Sequence, residues 1–317
     1  MSGSRMGSDS TAPAAVYRGS AAGKVILLGE HAVVYGSRAL VVGLSHGAEA
    51  EVRAASVTEL VLGADQHRLE GPPQRAESLA ARAFRALLEA LGAPPVRAEA
   101  WLAIPAGAGL GASAAIGVAL ARAVSRLLGA LGLSEPPIAA AALAWENVFH
   151  GNASGVDTAA AEHGGCLSFR RGEPPRALLP GRPLELIVAM VEPGASTLRM
   201  VEGVAQRRTS EPARVNGLLD AIAALVSDAE HQIEQGNHGE LGQLMTRNHE
   251  LLVQLGVSTP RLDRAVHTAL ASGALGAKLT GAGGGGCAVA LVERGVHALV
   301  LESWRREGLT CWEKQVG

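Results

Sequence analysis

Residues 104–115 read Ile-Pro-Ala-Gly-Ala-Gly-Leu-Gly-Ala-Ser-Ala-Ala. They follow an alternating run, 96–103, in which Val96, Ala98, Ala100 and Leu102 face one way and Arg97 and Glu99 the other, as in a strand. A helix is expected to begin near Ser113 and to run to about Leu128. Closely spaced glycines between a strand and a helix let the backbone bend tightly and turn several N–H groups toward one anion. The helix adds its own unsatisfied N-terminal donors. Ser113 falls in the first turn, where it can cap the helix or touch a phosphate or a magnesium ion. No Gly-Lys-Ser/Thr follows and the glycines are spaced GxGxG, so neither the P-loop nor the dinucleotide fingerprint is present.

Two further segments carry chemistry. Residues 278–287, Lys-Leu-Thr-Gly-Ala-Gly-Gly-Gly-Gly-Cys, sit between a predicted helix and a predicted strand. Four successive glycines suit neither element and make sense where a ligand or another segment approaches the backbone closely. Gly281, Gly283 and Gly286 spell GxGxxG, but the order helix, turn, strand is the reverse of what a dinucleotide fold needs. Cys287 reads as an inert buried thiol. The third segment, residues 145–158, runs Trp-Glu-Asn-Val-Phe-His-Gly-Asn-Ala-Ser-Gly-Val-Asp-Thr. Glu146, late in a helix, and Asp157, past a glycine-containing loop, can meet at one site, one holding a hard cation and the other accepting a proton. Asp157, beside Val156 and a run of alanines, is expected to be buried and to need a partner, and Lys24 at the start of the first strand is a candidate. His31 follows Gly29-Glu30 at the end of that strand. The histidines lack HExxH spacing, so a catalytic zinc site is not indicated. These features together indicate phosphoryl transfer from ATP-Mg²⁺ and leave the acceptor open.

Composition sets the outer bounds. The chain has 317 residues, 28 Lys+Arg against 30 Asp+Glu, and 40 glycines. Its pI is near 6.6 and its mean hydropathy +0.19. No basic field argues for nucleic acid. Three widely spaced cysteines without CxxC fit a reducing, cytoplasmic setting. Residues 1–20 are small and polar, expected as a flexible tail rather than a signal peptide. The uncharged stretch 101–121 is long enough to span a bilayer, but Pro105 and three glycines interrupt it, so no membrane association is expected.

Around these segments, strands are expected at Lys24–Leu28, Ala39–Gly43, Glu49–Ala55 and Thr58–Leu62, and a helix over Gln74–Leu91 with Gly92 ending it. Another helix is expected at Ile138–Phe149. A Pro- and Gly-rich stretch over 171–183 places a boundary near residue 180. Beyond it, an apolar run over 184–191 precedes helical stripes at 215–226, 241–255 and 261–271, a strand at 287–292 and a closing helix near 296–307. Mixed short strands and long helices in two halves indicate an α+β fold.

In this order, the three segments resemble the three motifs of the GHMP kinase superfamily. Gly23–Gly36 (GKVILLGEHAVVYG), GNASGVD and KLTGAGGGGC are most similar to its mevalonate kinase members. The resemblance implies a flexible tail (1–20), an N-terminal ATP-binding domain like the second domain of ribosomal protein S5 (21–180) and a ferredoxin-like C-terminal domain (181–317). It implies ATP-dependent phosphorylation of the C5 hydroxyl of mevalonate in isoprenoid precursor synthesis. The alternatives are the 3-hydroxyl or another alcohol on a related small-molecule kinase. Under it, Asp157 and Lys24 would be catalytic, and Glu30, His31 and Thr197 would contact substrate. Pro105, Gly107, Gly109, Leu110, Gly111, Ala112, Ser113, Ala114, Gly283 and Gly284 would bind ATP, and Ser113 and Glu146 would hold Mg²⁺. A small-molecule partner is implied, with no nucleic acid or membrane, and a homodimer is compatible with it. The chain departs from the usual motifs at Ala22, at Ala112 and in Glu192-Pro-Gly-Ala195, where those kinases carry proline, serine and a basic residue.

Overall fold

The structure, a computed structural model, describes residues 15–63, 65–69, 78–134, 137–151 and 153–317. In the first lobe the elements run β1 (Tyr17–Leu28), β2 (Ala39–Ala54), β3 (Thr58–Leu62), β4 (Asp65–Leu69), α1 (Leu79–Leu91), β5 (Val96–Leu102), α2 (Ala112–Ala130), α3 (Ile138–His150), α4 (Val156–His163), β6 (Cys166–Phe169) and β7 (Arg176–Leu178). The second lobe contains β8 (Leu184–Glu192), α5 (Thr197–Ser210), α6 (Pro212–Gln235), α7 (His238–Gln254), α8 (Pro260–Ala271), β9 (Gly276–Thr280), β10 (Gly286–Val292), α9 (Arg294–Arg306) and β11 (Thr310–Val316). The first sheet has the order β4-β3-β5-β2-β6-β7 with β1 paired to β2. The second has the order β11-β8-β10-β9.

Alternation along the strands explains how the lobes join. On β8, Ile187, Ala189 and Val191 face the helices of the second lobe, while Leu184, Leu186 and Val188 face the first lobe. β10 divides in the same way, with Ala288, Ala290 and Val292 on one side and Cys287, Val289 and Leu291 on the other. The inward set packs with Val25, Leu27, Leu28, Leu40 and Val42, so one core runs through both lobes. Strands buried on both faces read as continuous apolar runs, as these do. The far face of the first sheet is covered by α1, α2 and α3. By length and composition α2 could cross a membrane, yet two-thirds of its apolar window is buried inside the molecule.

Several elements differ from the sequence expectation. Residues 17–20, assigned to the flexible tail, are strand: Tyr17–Ser20 pair with Val52–Glu49 on the long edge of β2. Arg122 and Arg126 on α2 donate to the carbonyls of Ser20 and Arg18 at 2.5 and 2.6 Å. Partners far along the chain thus order a polar segment with no apolar pattern of its own. The strands expected at 39–43 and 49–55 are one strand, because β1 pairs along most of its length. The helix expected from Gln74 begins at Leu79, where the Ser78 hydroxyl accepts from the Ala81 N–H at 3.1 Å. Residues 74–77 lie outside the described residues, as do 1–14.

Candidate active site

The glycine-rich stretch becomes the floor of a cleft between the lobes. Gly107, Gly109 and Gly111 all have left-handed backbone, and the loop is tied to β1 by the Lys24 N–H donating to the Leu110 carbonyl at 2.8 Å. Gly111, at φ 74°, has a second reason to lack a side chain: a Cβ there would come 2.8 Å from Cγ of Lys24. The N-terminus of α2 opens into the cleft, which is lined by Gly107, Gly109, Gly111, Ala112, Ser113 and Ala114. First-turn N–H groups have no acceptor within their helix, so this end presents donors and a positive dipole end to an anion.

Four residues expected at the nucleotide do not line the cleft. Leu110 puts its side chain into the shared core, and Pro105 is not among the lining residues. Of the second glycine segment, Gly281 and Ala282 reach the cleft, and Gly283 and Gly284 do not. A Cβ on Gly283 would meet the Val257 carbonyl, and one on Gly284 would meet Met200 and Ala195. The segment instead supports the first loop from behind. A Cβ on Gly286 would come 3.0 Å from the Ala108 carbonyl, and one on Gly281 3.2 Å from that of Gly109. Its density of glycine is largely a close-packing requirement between two backbones.

Beside the cradle, Lys24 Nζ lies 3.2 Å from Asp157 Oδ1. Lys24 is nearly inaccessible, but Asp157 is 35% exposed rather than buried. It stands in the first turn of α4, an element not foreseen from the sequence, where the helix dipole favours a carboxylate. Beside this pair, the Ser113 hydroxyl donates to Glu146 Oε1 at 2.5 Å, and Trp145 Nε1 donates to the Ser113 carbonyl and hydroxyl at 3.1 and 3.2 Å. Burial pushes the Glu146 carboxyl up to about 7. The Ser113 hydrogen bond opposes that shift, Asp157 adds to it, and Lys24 opposes it.

Linkage then has a definite sign. Glu146 holds its proton more tightly folded than unfolded, so its contribution to stability is fully present below pH 4.5 and is lost as pH rises through about 7. The loss is on the order of 3 kcal/mol. Chemical denaturation of the ligand-free protein between pH 5 and 8 is expected to show it, and Glu146→Gln should flatten that slope. Trp145 supplies a second test. A Cβ on Gly117 of α2 would meet its indole carbons at 2.7 and 2.9 Å. Gly117→Ala is expected to displace Trp145 and destabilise the protein by about 1–3 kcal/mol, read as a lowered denaturation midpoint.

The cleft is also lined by Glu30, His31, Thr197 and Arg171 and by the apolar side chains of Val33, Val34, Leu198 and Val201. His31 is buried, and its Nε2–H donates to the Ala282 carbonyl at 2.9 Å. Burial drops its pKa to about 4 against the effect of that hydrogen bond, with Arg207 lowering it further, so the ring is neutral near pH 7 and offers Nδ1 as an acceptor. Glu30 is buried against Lys278, which the sequence reading passed over, and Asn248 Nδ2 donates to Glu30 Oε2 at 3.0 Å. A lysine between Ala277 and Leu279 in a short apolar strand was the available signal, since a buried ammonium needs partners. Arg171, inside a Pro- and Gly-rich stretch, offered none.

This arrangement is that of a phosphotransferase: a glycine cradle at a helix N-terminus, a hydroxyl paired with a carboxylate, and a lysine–aspartate pair beside them. The family model for the N-terminal domain of GHMP kinases matches residues 78–165, and that for the C-terminal domain matches residues 229–309. The mevalonate kinase of Pyrococcus horikoshii is 36% identical over 297 residues, covering 86% of this chain and 87% of its own length. That of Aeropyrum pernix is 35% identical, covering 90% of this chain and 93% of its own. The crystal structure of L. major mevalonate kinase in complex with R-mevalonate superposes with a TM-score of 0.80 at 30% identity, covering 94% of this chain and 95% of that one. The chain belongs to the GHMP kinase family.

Proposed function

We propose that this protein transfers the γ-phosphoryl group of ATP to the C5 hydroxyl of mevalonate, giving 5-phosphomevalonate and ADP. The observation that carries the reading is the Lys24–Asp157 pair standing beside the Gly107–Ala114 cradle in one cleft. In the transfer, the acceptor oxygen forms a bond to the γ-phosphorus while the bond from that phosphorus to the β-bridging oxygen breaks. Asp157 accepts the hydroxyl proton, having room to do so because it opens into the cleft. Lys24 stabilises the charge that develops on the acceptor and phosphoryl oxygens. Such chemistry asks mainly for in-line placement and charge compensation, which fixed groups on strand and helix termini provide.

Magnesium is tested against the donors present. Among the described residues no group of three or more His, Cys, Asp and Glu is arranged to hold a metal ion. Mg²⁺ usually takes one or two protein oxygens plus substrate phosphates. The Ser113 hydroxyl and the adjacent Glu146 carboxylate fit that pattern and would hold it beside the α2 N-terminus. When bound, it would neutralise phosphate charge.

On the acceptor side, mevalonate offers a carboxylate, a methyl group and two hydroxyls. Arg171 matches the first, the Val33, Val34 and Leu198 wall the second, and His31 and Thr197 the hydroxyls. The relatives named as mevalonate kinases, one of them holding R-mevalonate, support this acceptor. Coupled ADP release with Mg-ATP against mevalonate, 5-phosphomevalonate, galactose and homoserine, with product position read by NMR, tests it. ADP release with mevalonate and a 5-phosphate product is expected. A 3-phosphate, or turnover confined to another alcohol, would overturn it.

A further inference from the structure

Lys278 is fully buried, yet all three of its N–H groups are used. They donate to the Ile26 carbonyl at 3.3 Å, to the Leu279 carbonyl at 2.6 Å and to Glu30 Oε1. Three acceptors around one ammonium are what a charged lysine requires in a site without water. Two of them, Ile26 and Glu30, belong to the other lobe.

The neighbours of Lys278 do the same. Thr280 Oγ1 accepts from the Ile26 N–H at 2.9 Å and donates to the Ile26 carbonyl at 3.1 Å. Two residues further on, the Ala282 carbonyl receives the His31 ring. Alternate positions therefore grip the end of β1 and the turn after it, while Ala277 and Leu279 face the core of their own lobe. What they hold is costly to hold. Among the described residues His31 is the one non-glycine with positive φ, at 61°. Such a conformation persists where the surroundings over-determine it.

We infer that Lys278 and Thr280 are positioning residues, a latch from β9 that fixes the Gly29–His31 turn and thereby presents His31 to the acceptor in the cleft. This rests on the proposed acceptor only for its kinetic consequence. Their side chains bond Ile26, Glu30 and the Leu279 carbonyl, and only the backbone carbonyl of Thr280 comes up to the cradle, beside Gly109, so side-chain substitutions here should fall on the acceptor rather than on the nucleotide. Asn248 on α7 holds the second oxygen of Glu30 and His249 accepts the Leu279 N–H at 3.3 Å, so the latch is braced from its own lobe.

The test compares wild type, Lys278→Met and Thr280→Val, labelled with ¹⁵N-histidine, with His31→Gln identifying the His31 ring signals. Thr280→Val introduces no unpaired charge and serves if Lys278→Met does not fold. At a fixed pH of about 7, the His31 ring nitrogens are expected to move away from the Nε2–H pattern in the latch variants. The KM for mevalonate should rise by about tenfold or more while the Kd for a non-hydrolysable ATP analogue stays within about twofold. Unmoved His31 signals in folded variants, or equal losses for nucleotide and acceptor, would overturn the inference. The ring signals are read without turnover, so a wild type that fails to phosphorylate mevalonate would sink the proposed reaction and leave the latch separately testable.

Discussion

Asp157→Asn lowers kcat by about 10²- to 10⁴-fold and leaves the affinity for an ATP analogue within a few-fold of wild type; that is the expected result of removing a proton acceptor while the nucleotide cradle stays in place. The substitution keeps the size of the side chain and its place in the first turn of α4. It removes the charge that faces Lys24 at 3.2 Å and the capacity to take a proton from an acceptor hydroxyl. The cradle is built by other elements, from Gly107 to the first turn of α2, with Ser113 and Glu146 beside it. Its affinity for phosphate should therefore survive. Single-turnover kinetics with pre-bound ATP separates the two effects: a lost chemical step with normal binding supports the role. A kcat within about threefold of wild type would remove Asp157 from the mechanism and leave Lys24 acting alone on charge.

How much of this was legible beforehand depended on whether the signal was local. Strand-glycine-helix at 96–128 could be read directly, because the alternation, the glycines and Ser113 are contiguous and their geometry is a property of the backbone. Glu146 and Asp157 could be singled out, as one carboxylate lies late in a helix and the other just past the glycine-containing loop that follows it. The degree of exposure of Asp157 could not, because the cleft it opens into is formed by segments distant in the chain, from both lobes. Whether the second glycine segment receives a ligand or another backbone could not be read from the sequence for the same reason. Gly283 and Gly284 look in sequence like another anion cradle, but the Val257 carbonyl and Met200 occupy the space a side chain would take. Tyr17–Ser20 illustrate the converse, since their order comes from β2 and from Arg122 and Arg126 on α2, all distant in the chain.

Lys278→Met should be among the most destabilising single changes in the molecule, costing about 3–5 kcal/mol. The lysine is wholly buried, and the methionine is close to it in volume, so little of the loss comes from packing. It comes from Glu30, which is left in a dry site with Asn248 as its remaining side-chain donor, and from the carbonyl of Ile26, which keeps only the Thr280 hydroxyl. Burial works against the charge on Lys278 and draws its pKa down, while Glu30 holds it up. The pair is therefore stable as a pair and poor when halved. Lys278→Met combined with Glu30→Leu removes both charges and should recover part of the loss. Asn248 then has no carboxylate to serve, so full recovery is not expected. Denaturant midpoints of the two single variants and the double variant measure the coupling directly. A single-variant loss below about 1 kcal/mol would mean that the buried charge pair is not what joins β9 to the end of β1.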